Sequence, residues 1–233
     1  MKLTKPLALS RLACCICTAM TGVPAFAQTA SLASPDIEEI VVFGRARDLV
    51  GTAEAASEGS IGGADLLIRP LFKPAELLES MPGMIAVQHS GSGKANQFFL
   101  RGFNLDHGTD YTVFVDGMPM NLRSHGHGQG YLDVNGLIPE TVERIDYRKG
   151  PYRADLGDFS MAGASFIHTI DSLDNNFLSM ESGQYGWRRV AGGASQNLQN
   201  GSLTLVGEYK QNDGPWEKAE DLNHVSLWGK YLR

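Results

Sequence analysis

Six histidines are the residues of this 233-residue sequence best suited to metal chemistry. The densest group lies in the stretch His125-Gly-His127-Gly-Gln-Gly, and His107 lies beside Asp106 and Asp110 on another predicted loop. In an extended backbone, residues i and i+2 point to the same side, so His125 and His127 are placed to chelate one ion. Imidazole suits zinc, copper, nickel and iron. These residue types therefore predict metal or ligand contact by His107, His125 and His127.

The local spacing supplies only two ligands, whereas a stable metal site needs three or four. His107 or an aspartate has to join them in three dimensions. The structural alternative is that the glycines give the loop its freedom and the histidines hydrogen-bond within it. The enzymatic alternative is a secreted metallohydrolase built on His107, His125 and His127, but the sequence has no His-Glu-x-x-His spacing and no obvious general base. We therefore predict a protein that is not an enzyme and requires no cofactor, with any metal ion or metal chelate as cargo.

The first 27 residues have the pattern of a signal peptide. Lys2, Lys5 and Arg11 form a basic start, an apolar run follows, and Ala25-Phe26-Ala27 supplies the small residues that signal peptidase needs. The apolar run is too short for a membrane-spanning helix. Cleavage is predicted after Ala27, and all three cysteines leave with the leader. The exported chain therefore contains no disulfide.

The overall charge is acidic, with 26 Asp and Glu against 20 Lys and Arg and a formal net charge of −6. Loss of the basic leader makes the exported chain more acidic still. Binding to nucleic acid needs clustered Lys and Arg that replace the counterions around phosphate. Nucleic acid is therefore not an expected partner.

Residues 28–44 are predicted to form a flexible tether that carries a strand-forming segment. The tether begins with small polar residues that have no pattern for burial. The segment itself, Glu38-Glu39-Ile40-Val41-Val42-Phe43, joins two acids to a β-branched and aromatic run. As a free segment it is suited to adding a strand to the edge of another protein's sheet. The alternative is that it forms the first strand of the domain that follows.

Residues 45–172 have the pattern of a compact α+β domain, with a small mixed sheet and short helices. A short helix is predicted at Pro74–Met81, where proline begins the first turn and Pro82-Gly83 ends it. One further helical turn is predicted at Pro139–Val142. Strands are predicted at five places, namely Met84–Gln88, Phe98–Arg101, Tyr111–Val115, Arg144–Arg148 and Ala164–Ile170.

Residues 173–233 change to short segments of alternating polarity separated by turn residues. In 202–210 and 223–232, one set of alternate residues is apolar and the other is mostly polar, with aromatics near the ends. This alternation is typical of antiparallel strands of a transmembrane β-barrel. The alternative is an antiparallel meander over a soluble core. Strands are predicted at Phe177–Glu181, Trp187–Ser195, Ser202–Lys210 and Asn223–Leu232.

Five motifs occur in an order that points to one family of proteins. They are Glu39-Ile40-Val41-Val42, RPLFKPAELLESMPGM at 69–84, FFLRGF at 98–103, YTVFVDGMPM at 111–120 and IPETVERIDYRKGP at 138–151. In this order the sequence resembles the N-terminal portion of a TonB-dependent outer-membrane receptor. The first motif lies where that family carries its TonB box, and the other four resemble successive segments of its plug domain.

The resemblance implies a transporter and its partners. Residues 45–172 would be the plug, and the strands beyond 172 would contact outer-membrane lipid. The C-terminal domain of TonB would bind residues 38–43 by strand addition and drive uptake of a scarce solute, such as a metal, a metal–siderophore or a similar chelate. A soluble periplasmic ligand- or metal-binding domain is the alternative, but it leaves the alternation after Ser172 unexplained.

The number of predicted strands also sets an expectation about completeness. Residues 173–233 supply four strands, whereas the plugged barrel of a large outer-membrane transporter has about 22. From the sequence we therefore expect the first hairpins of an incomplete barrel, in a fragment or truncated product. Such a chain would belong in the cell outer membrane, or in the periplasm if it folds alone.

Overall fold

The computed structural model describes residues 55–88 and 91–233, which form three β-sheets. The predicted signal peptide, the tether and residues 38–43 lie outside the described residues. The described residues belong to one compact unit. In the part of the chain that is described, no helix has the length and apolar character needed to cross a membrane.

The N-terminal two sheets contain eight strands, which together with their helices we call the mixed-sheet part. The strands are β1 (Glu58–Gly62), β2 (Met84–Val87), β3 (Gln97–Leu100), β4 (Phe103–Asn104), β5 (Tyr111–Val115), β6 (Met118–Pro119), β7 (Val142–Lys149) and β8 (Gly163–Thr169). One sheet has the order β1-β7-β8-β5-β6, in which β5 and β8 run parallel and the other neighbours antiparallel. The other sheet is the antiparallel set β2-β3-β4. The predicted small mixed sheet is confirmed.

The helices of this part are short. The described residues contain one α-helix, α1 (Gly63–Leu67), and 3₁₀ helices at Pro74–Ser80, Pro139–Thr141 and Ala154–Leu156. The predicted helix after Lys73 is therefore present, but it has 3₁₀ geometry. It starts with a capping interaction in which the Glu76 carboxylate accepts the backbone N–H of Lys73 at 3.1 Å.

One hydrophobic core joins both sheets to these helices. Phe98, Tyr111 and Ile145 come from different strands and are completely buried in the same cluster. The hydroxyl of Tyr111 hydrogen-bonds to Ser165, which satisfies its polar group inside the core. Burial raises the pKa of this hydroxyl, so it stays protonated. Apolar packing therefore holds the mixed-sheet part together.

Strand β1 is not among the strands predicted from the sequence. The structure pairs β1 with β7 over its whole length, with Gly59 opposite Tyr147. A Cβ atom at Gly59 would lie 2.5 Å from the hydroxyl oxygen of Tyr147. Glycine is therefore required because the tyrosine side chain crosses the strand at this point.

The C-terminal sheet, which we call the hairpin sheet, consists of four antiparallel strands paired in chain order. They are β9 (Phe177–Ser182), β10 (Arg188–Leu198), β11 (Gly201–Asn212) and β12 (Leu222–Leu232). All four predicted strands are confirmed, each within a few residues of its predicted bounds. The two-residue connection 199–200 joins β10 to β11, while the longer loop 213–221 joins β11 to β12.

One face of the hairpin sheet is an exposed apolar surface. The pairing aligns Met180, Val190, Tyr209 and Val225 in one row across the four strands. Met180 is 72% exposed and Val225 is 66% exposed, and Leu227 in the next row reaches 84%. A continuous apolar surface of this kind marks contact with another apolar phase. Its period of two along the strands is the pattern of lipid-facing barrel strands.

The opposite face of the hairpin sheet holds a buried cluster of charges centred on Arg189. Its guanidinium donates to Glu208 at 2.6 Å, to Glu181 at 2.8 Å and to both carboxylate oxygens of Glu140 at 2.7 and 2.8 Å. Glu140 belongs to a 3₁₀ helix of the mixed-sheet part, whereas the other two acids lie on β9 and β11. Lys210 adds a second cation, 2.9 Å from Glu208. The cluster therefore ties the two parts of the chain together.

A second polar contact between the two parts lies at Lys230 of β12. Its ammonium group donates to the backbone carbonyl of Thr169 at 3.1 Å and lies 2.9 Å from the Asp171 carboxylate. Asp116, in the turn after β5, accepts the backbone N–H of Thr169 at 2.9 Å. Burial opposes ionisation of Asp116, but the hydrogen bonds from Thr169 and the charge of Lys230 outweigh it and lower the pKa of the carboxyl. This turn is therefore negatively charged at neutral pH.

We predict that Arg189→Met destabilises the folded chain by about 3–5 kcal/mol, because it removes the buried cation that three carboxylates share and leaves the buried Glu208 with Lys210 alone. Urea unfolding of the protein in detergent measures this change. Protease cleavage at the connection 170–176 should also become faster, since the variant loosens the contact between the two parts.

Arg188→Met is the matched control, because Arg188 is the neighbouring residue on the strand and is exposed. It should leave unfolding within about 0.5 kcal/mol of the parent, as is usual for surface substitutions. Equal stability of the two variants would contradict the role given to Arg189.

Candidate functional site

The predicted histidine stretch forms the tip of a closed loop, residues 122–131, which we call the histidine loop. Leu122 and Tyr131 close it through a backbone hydrogen bond of 2.9 Å, and the N–H of Gly130 donates to the carbonyl of Leu122 at 2.8 Å. His125 and His127 are exposed near the tip. The loop is therefore fixed at its base and open where it carries the histidines.

Asn121 attaches the histidine loop to the loop that carries His107. Its buried side-chain amide donates to the carbonyls of Gly108, Tyr111 and Gly130, each at 2.9 Å. Its Oδ1 atom accepts the backbone N–H of Val113 at 3.0 Å. One side chain thus satisfies four backbone groups from three segments. Sequence reasoning missed this residue, since a single asparagine in a loop carries no distinctive pattern.

Tyr131 forms an aromatic platform for three histidine rings. His125 stacks on it with ring centroids 4.0 Å apart and an interplanar angle of 15°. His107 and His127 also contact this ring, at centroid distances of 5.6 and 5.8 Å. Its hydroxyl oxygen accepts the backbone N–H of Ala95 at 3.2 Å, which anchors the platform to a third segment. The position of this tyrosine directly after the histidine run was the available sequence signal.

His107 is buried, and its hydrogen bonds determine which ring nitrogen carries the proton. Nδ1 lies 3.1 Å from the carbonyl oxygen of Ala95 and 3.2 Å from that of Asn96. A carbonyl oxygen can only accept, so we assign the proton to Nδ1 from these partners. In the neutral ring Nε2 then carries a lone pair, and it lies 3.8 Å from Oδ1 of Asp106.

Asp106, His107 and His127 together form a cluster of possible metal ligands. One ligand atom from each lies within 4.8 Å of the other two. The rings of His107 and His127 meet edge to face with centroids 4.6 Å apart. His125 has a different position, against Tyr131, and its Nδ1 accepts the backbone N–H of His127 at 3.1 Å. The structure thus groups two of the three predicted histidines with an aspartate, while the third supports the loop.

The backbone presents Asp106 to this cluster in an uncommon conformation. Its φ angle is 50°, in the left-handed region that asparagine and aspartate tolerate better than other residues with side chains. The side-chain oxygen of Asn104 accepts the Asp106 N–H at 2.8 Å and stabilises the turn. Strained positions of this kind are concentrated at functional sites.

A cavity of about 780 Å³ lies between the mixed-sheet part and the ends of the hairpin strands. Its wall includes Phe72 and Trp187, whose rings meet edge to face at 5.8 Å. Asn135 also lines it and donates to the carbonyl of Lys94 at 2.7 Å, and the next two carbonyls along the chain contact His107. The cavity and the cluster therefore share one backbone segment. The cavity volume is in the range of small-molecule sites.

Glu220, in the loop between β11 and β12, connects two loops beside the cavity. Its carboxylate accepts the backbone N–H of Ser92 at 2.9 Å and the indole N–H of Trp216 at 2.6 Å. The hydrogen bonds from Ser92 and Trp216 lower the pKa of Glu220, against a smaller opposing effect of burial. A glycine-rich loop of the mixed-sheet part is thereby held against a loop of the hairpin sheet.

We predict that Asn121→Asp destabilises the chain by at least about 2 kcal/mol, because it places a carboxylate oxygen against three carbonyl oxygens and removes their donor. Urea unfolding followed by near-ultraviolet circular dichroism measures the loss and reports the packing of Tyr131.

Asn135→Asp serves as its control, since Asn135 is only partly buried and its side chain donates to a single carbonyl. That variant should unfold within about 0.5 kcal/mol of the parent. Equal effects at 121 and 135 would show that the four hydrogen bonds of Asn121 do not hold the two loops together.

Comparison with known proteins identifies the mixed-sheet part. The family model described as the TonB-dependent Receptor Plug Domain matches residues 52–164. This match covers all the strands of the mixed-sheet part up to the start of β8, together with the histidine loop.

Solved receptor structures share the fold. The ferric enterobactin receptor PfeA of Pseudomonas aeruginosa, solved as a mutant with enterobactin, aligns with 70% of this chain and 26% of its own, at 23% identity and a TM-score of 0.53. The siderophore receptor PirA of Acinetobacter baumannii aligns with 68% of this chain and 25% of its own, at 23% identity and a TM-score of 0.51. The copper transporter OprC aligns with 71% of this chain and 25% of its own, at 17% identity and a TM-score of 0.53.

These likenesses establish a common architecture of plug and antiparallel strands. This chain spans about a quarter of the length of the solved receptors it matches. From the family match we conclude that the mixed-sheet part is a TonB-dependent receptor plug domain, and from the structural matches that the chain shares the fold of these receptors.

Proposed function

We propose that this chain is the plug-bearing part of an outer-membrane receptor that takes up a scarce solute, such as a metal, a metal–siderophore or a similar chelate. The single observation that carries the proposal is the two-faced hairpin sheet. One face is apolar and exposed, with Leu227 at 84%, and the other buries Arg189 against Glu140 of the plug. A sheet that meets lipid on one side and a plug on the other fits a receptor wall. The role is therefore transport and not catalysis.

The proposed location follows from the same sheet. Lipid offers no hydrogen-bonding partners, so strands that contact it must pair their backbone groups with one another. The strands β9 to β12 pair in unbroken registers of antiparallel neighbours. We place their apolar rows against the hydrocarbon of the outer membrane. The predicted leader, with cleavage after Ala27, would bring the chain to that compartment.

Energy for uptake must come from outside the receptor. A receptor that holds its ligand with a nanomolar Kd must overcome about 12 kcal/mol to release it. The outer membrane has no nucleotide supply, so a periplasm-spanning protein has to deliver the work. We propose that the TonB C-terminal domain pairs with residues 38–43 as an added strand. Strand addition forms a row of main-chain hydrogen bonds between the two proteins. Such a row is suited to transmitting a pulling force from TonB to the receptor.

The cargo class is supported by the plug itself. The cluster of Asp106, His107 and His127 offers nitrogen and oxygen donors that suit transition metals. The neighbouring cavity has room for a small chelate. The related receptors have names that refer to ferric enterobactin, siderophores and copper, and for this chain we propose the same general class of cargo.

We predict that Ile40→Pro abolishes binding of the TonB C-terminal domain and energised uptake, because proline removes a backbone donor from the pairing strand. Biolayer interferometry with immobilised TonB domain measures the first effect. Uptake of radiolabelled Zn²⁺ and of ferric enterobactin by cells that produce the receptor measures the second. Surface binding of the same probes to de-energised cells should not change.

The matched control is Leu32→Pro, in the tether ahead of the predicted box. It should bind TonB and support uptake as the parent does. The assignment of residues 38–43 is wrong if both proline variants behave alike, or if Ile40→Pro removes surface binding together with uptake.

A further inference from the structure

We infer that Asp106, His107 and His127 of the plug bind one divalent transition-metal ion, of the class of Zn²⁺ or Cu²⁺, by direct coordination. This inference adds a specific ligand to the proposed function. The physiological role of the site, which is the binding of cargo, rests on that proposed function. Ion binding by the purified protein is a separate property that can be tested alone.

The first support is the distance between the ligand atoms. Zinc bonds to nitrogen and oxygen are about 2.0–2.2 Å long, which puts tetrahedral ligand atoms about 3.4 Å apart. The three ligand atoms lie within 4.8 Å of one another, so closure needs a shift of at most about 1.4 Å. His127 can provide this shift, because Gly126 and Gly128 on either side of it have open space around them. The base of the histidine loop stays fixed by Asn121 while its tip adjusts.

The second support is the orientation of His107. Metal-bound histidines almost always donate their second ring N–H to a carbonyl or carboxylate, which fixes the ring and makes the ligating nitrogen more basic. His107 has this arrangement, since Nδ1 contacts the carbonyls of Ala95 and Asn96 and Nε2 faces Asp106. The ring is 4% exposed, so its direction is held by the fold. One ligand is therefore already oriented before an ion arrives.

The third support is electrostatic. Nε2 of His107 lies 3.8 Å from Oδ1 of Asp106. A bound ion is the largest local charge at such a site, and a carboxylate beside two imidazoles suits a cation and not an anion. The backbone at Asp106, with a φ angle of 50°, presents the carboxylate to the cluster.

The ligand set indicates which ions fit. Two imidazoles and one carboxylate favour zinc, copper or nickel over magnesium and calcium, which prefer sites made of oxygen alone. Three protein ligands leave a coordination position open for water or for a group of a chelate. The site therefore suits a hydrated or partly chelated ion with exchangeable positions. A chelate that saturates its metal could not bind in this way.

Isothermal titration of the purified chain in detergent with Zn²⁺ tests the inference, with Mg²⁺ as the control ion. We expect one zinc ion per chain and no measurable magnesium binding. His127→Ala should lower zinc affinity by at least about tenfold, and Asp106→Asn should also weaken it. His127 is exposed at the loop tip, so its replacement should leave the core folded. His224→Ala and Asp110→Asn are matched controls outside the cluster and should titrate as the parent does.

Co²⁺ binding provides a second readout of the same site. The parent should show the visible absorption bands of a tetrahedral Co²⁺ complex, and His127→Ala should lose them. Superimposable zinc isotherms for His127→Ala and the parent would overturn the inference, as would equal losses in the His224→Ala control. A full-length receptor that binds zinc but fails to take it up, even with an intact TonB segment, would instead overturn the proposed function and leave the metal site standing.

Discussion

The buried guanidinium of Arg189 is the interaction on which the arrangement of this chain depends. A charge removed from water must be paired, and its carboxylate partners come from two parts of the chain, with Glu140 on the plug and Glu181 and Glu208 on the hairpin sheet. The plug must therefore lie against this face of the sheet. The other face carries Leu227 and other exposed apolar side chains, so it can contact an apolar phase. One charge cluster thus decides which side of the sheet faces inward.

The plug also positions the candidate site. Mixed-sheet strands and a common core make the plug rigid, and Asn121 then fixes two loops to each other by four hydrogen bonds. Tyr131 adds a platform that three histidine rings contact. His127 lies at the loop tip between Gly126 and Gly128, which have open space around them. A rigid support with one adjustable ligand is what capture of an ion and its later release both require.

Sequence predicted the hairpin sheet well, because alternation along residues 202–210 and 223–232 is a local signal with a period of two. It missed β1, since glycines that make room for Tyr147 look like loop residues. The histidines were identified as candidate ligands, but their grouping with Asp106, and the stacking of His125 on Tyr131, depend on contacts between separate loops. The assignment of residues 38–43 to TonB binding stays a prediction, because they lie outside the described residues.

The central claim is that the hairpin sheet faces lipid on one side and the plug on the other. All three cysteines lie within residues 1–27, so a chain produced without the predicted leader can be labelled singly with a nitroxide through Leu227→Cys or Ser226→Cys, at adjacent positions on opposite faces. Electron paramagnetic resonance in lipid vesicles then compares the access of oxygen and of a water-soluble nickel reagent. The account predicts that a label at 227 is reached by oxygen and shielded from nickel, and that one at 226 is shielded from both. Strong nickel access at 227 would contradict it.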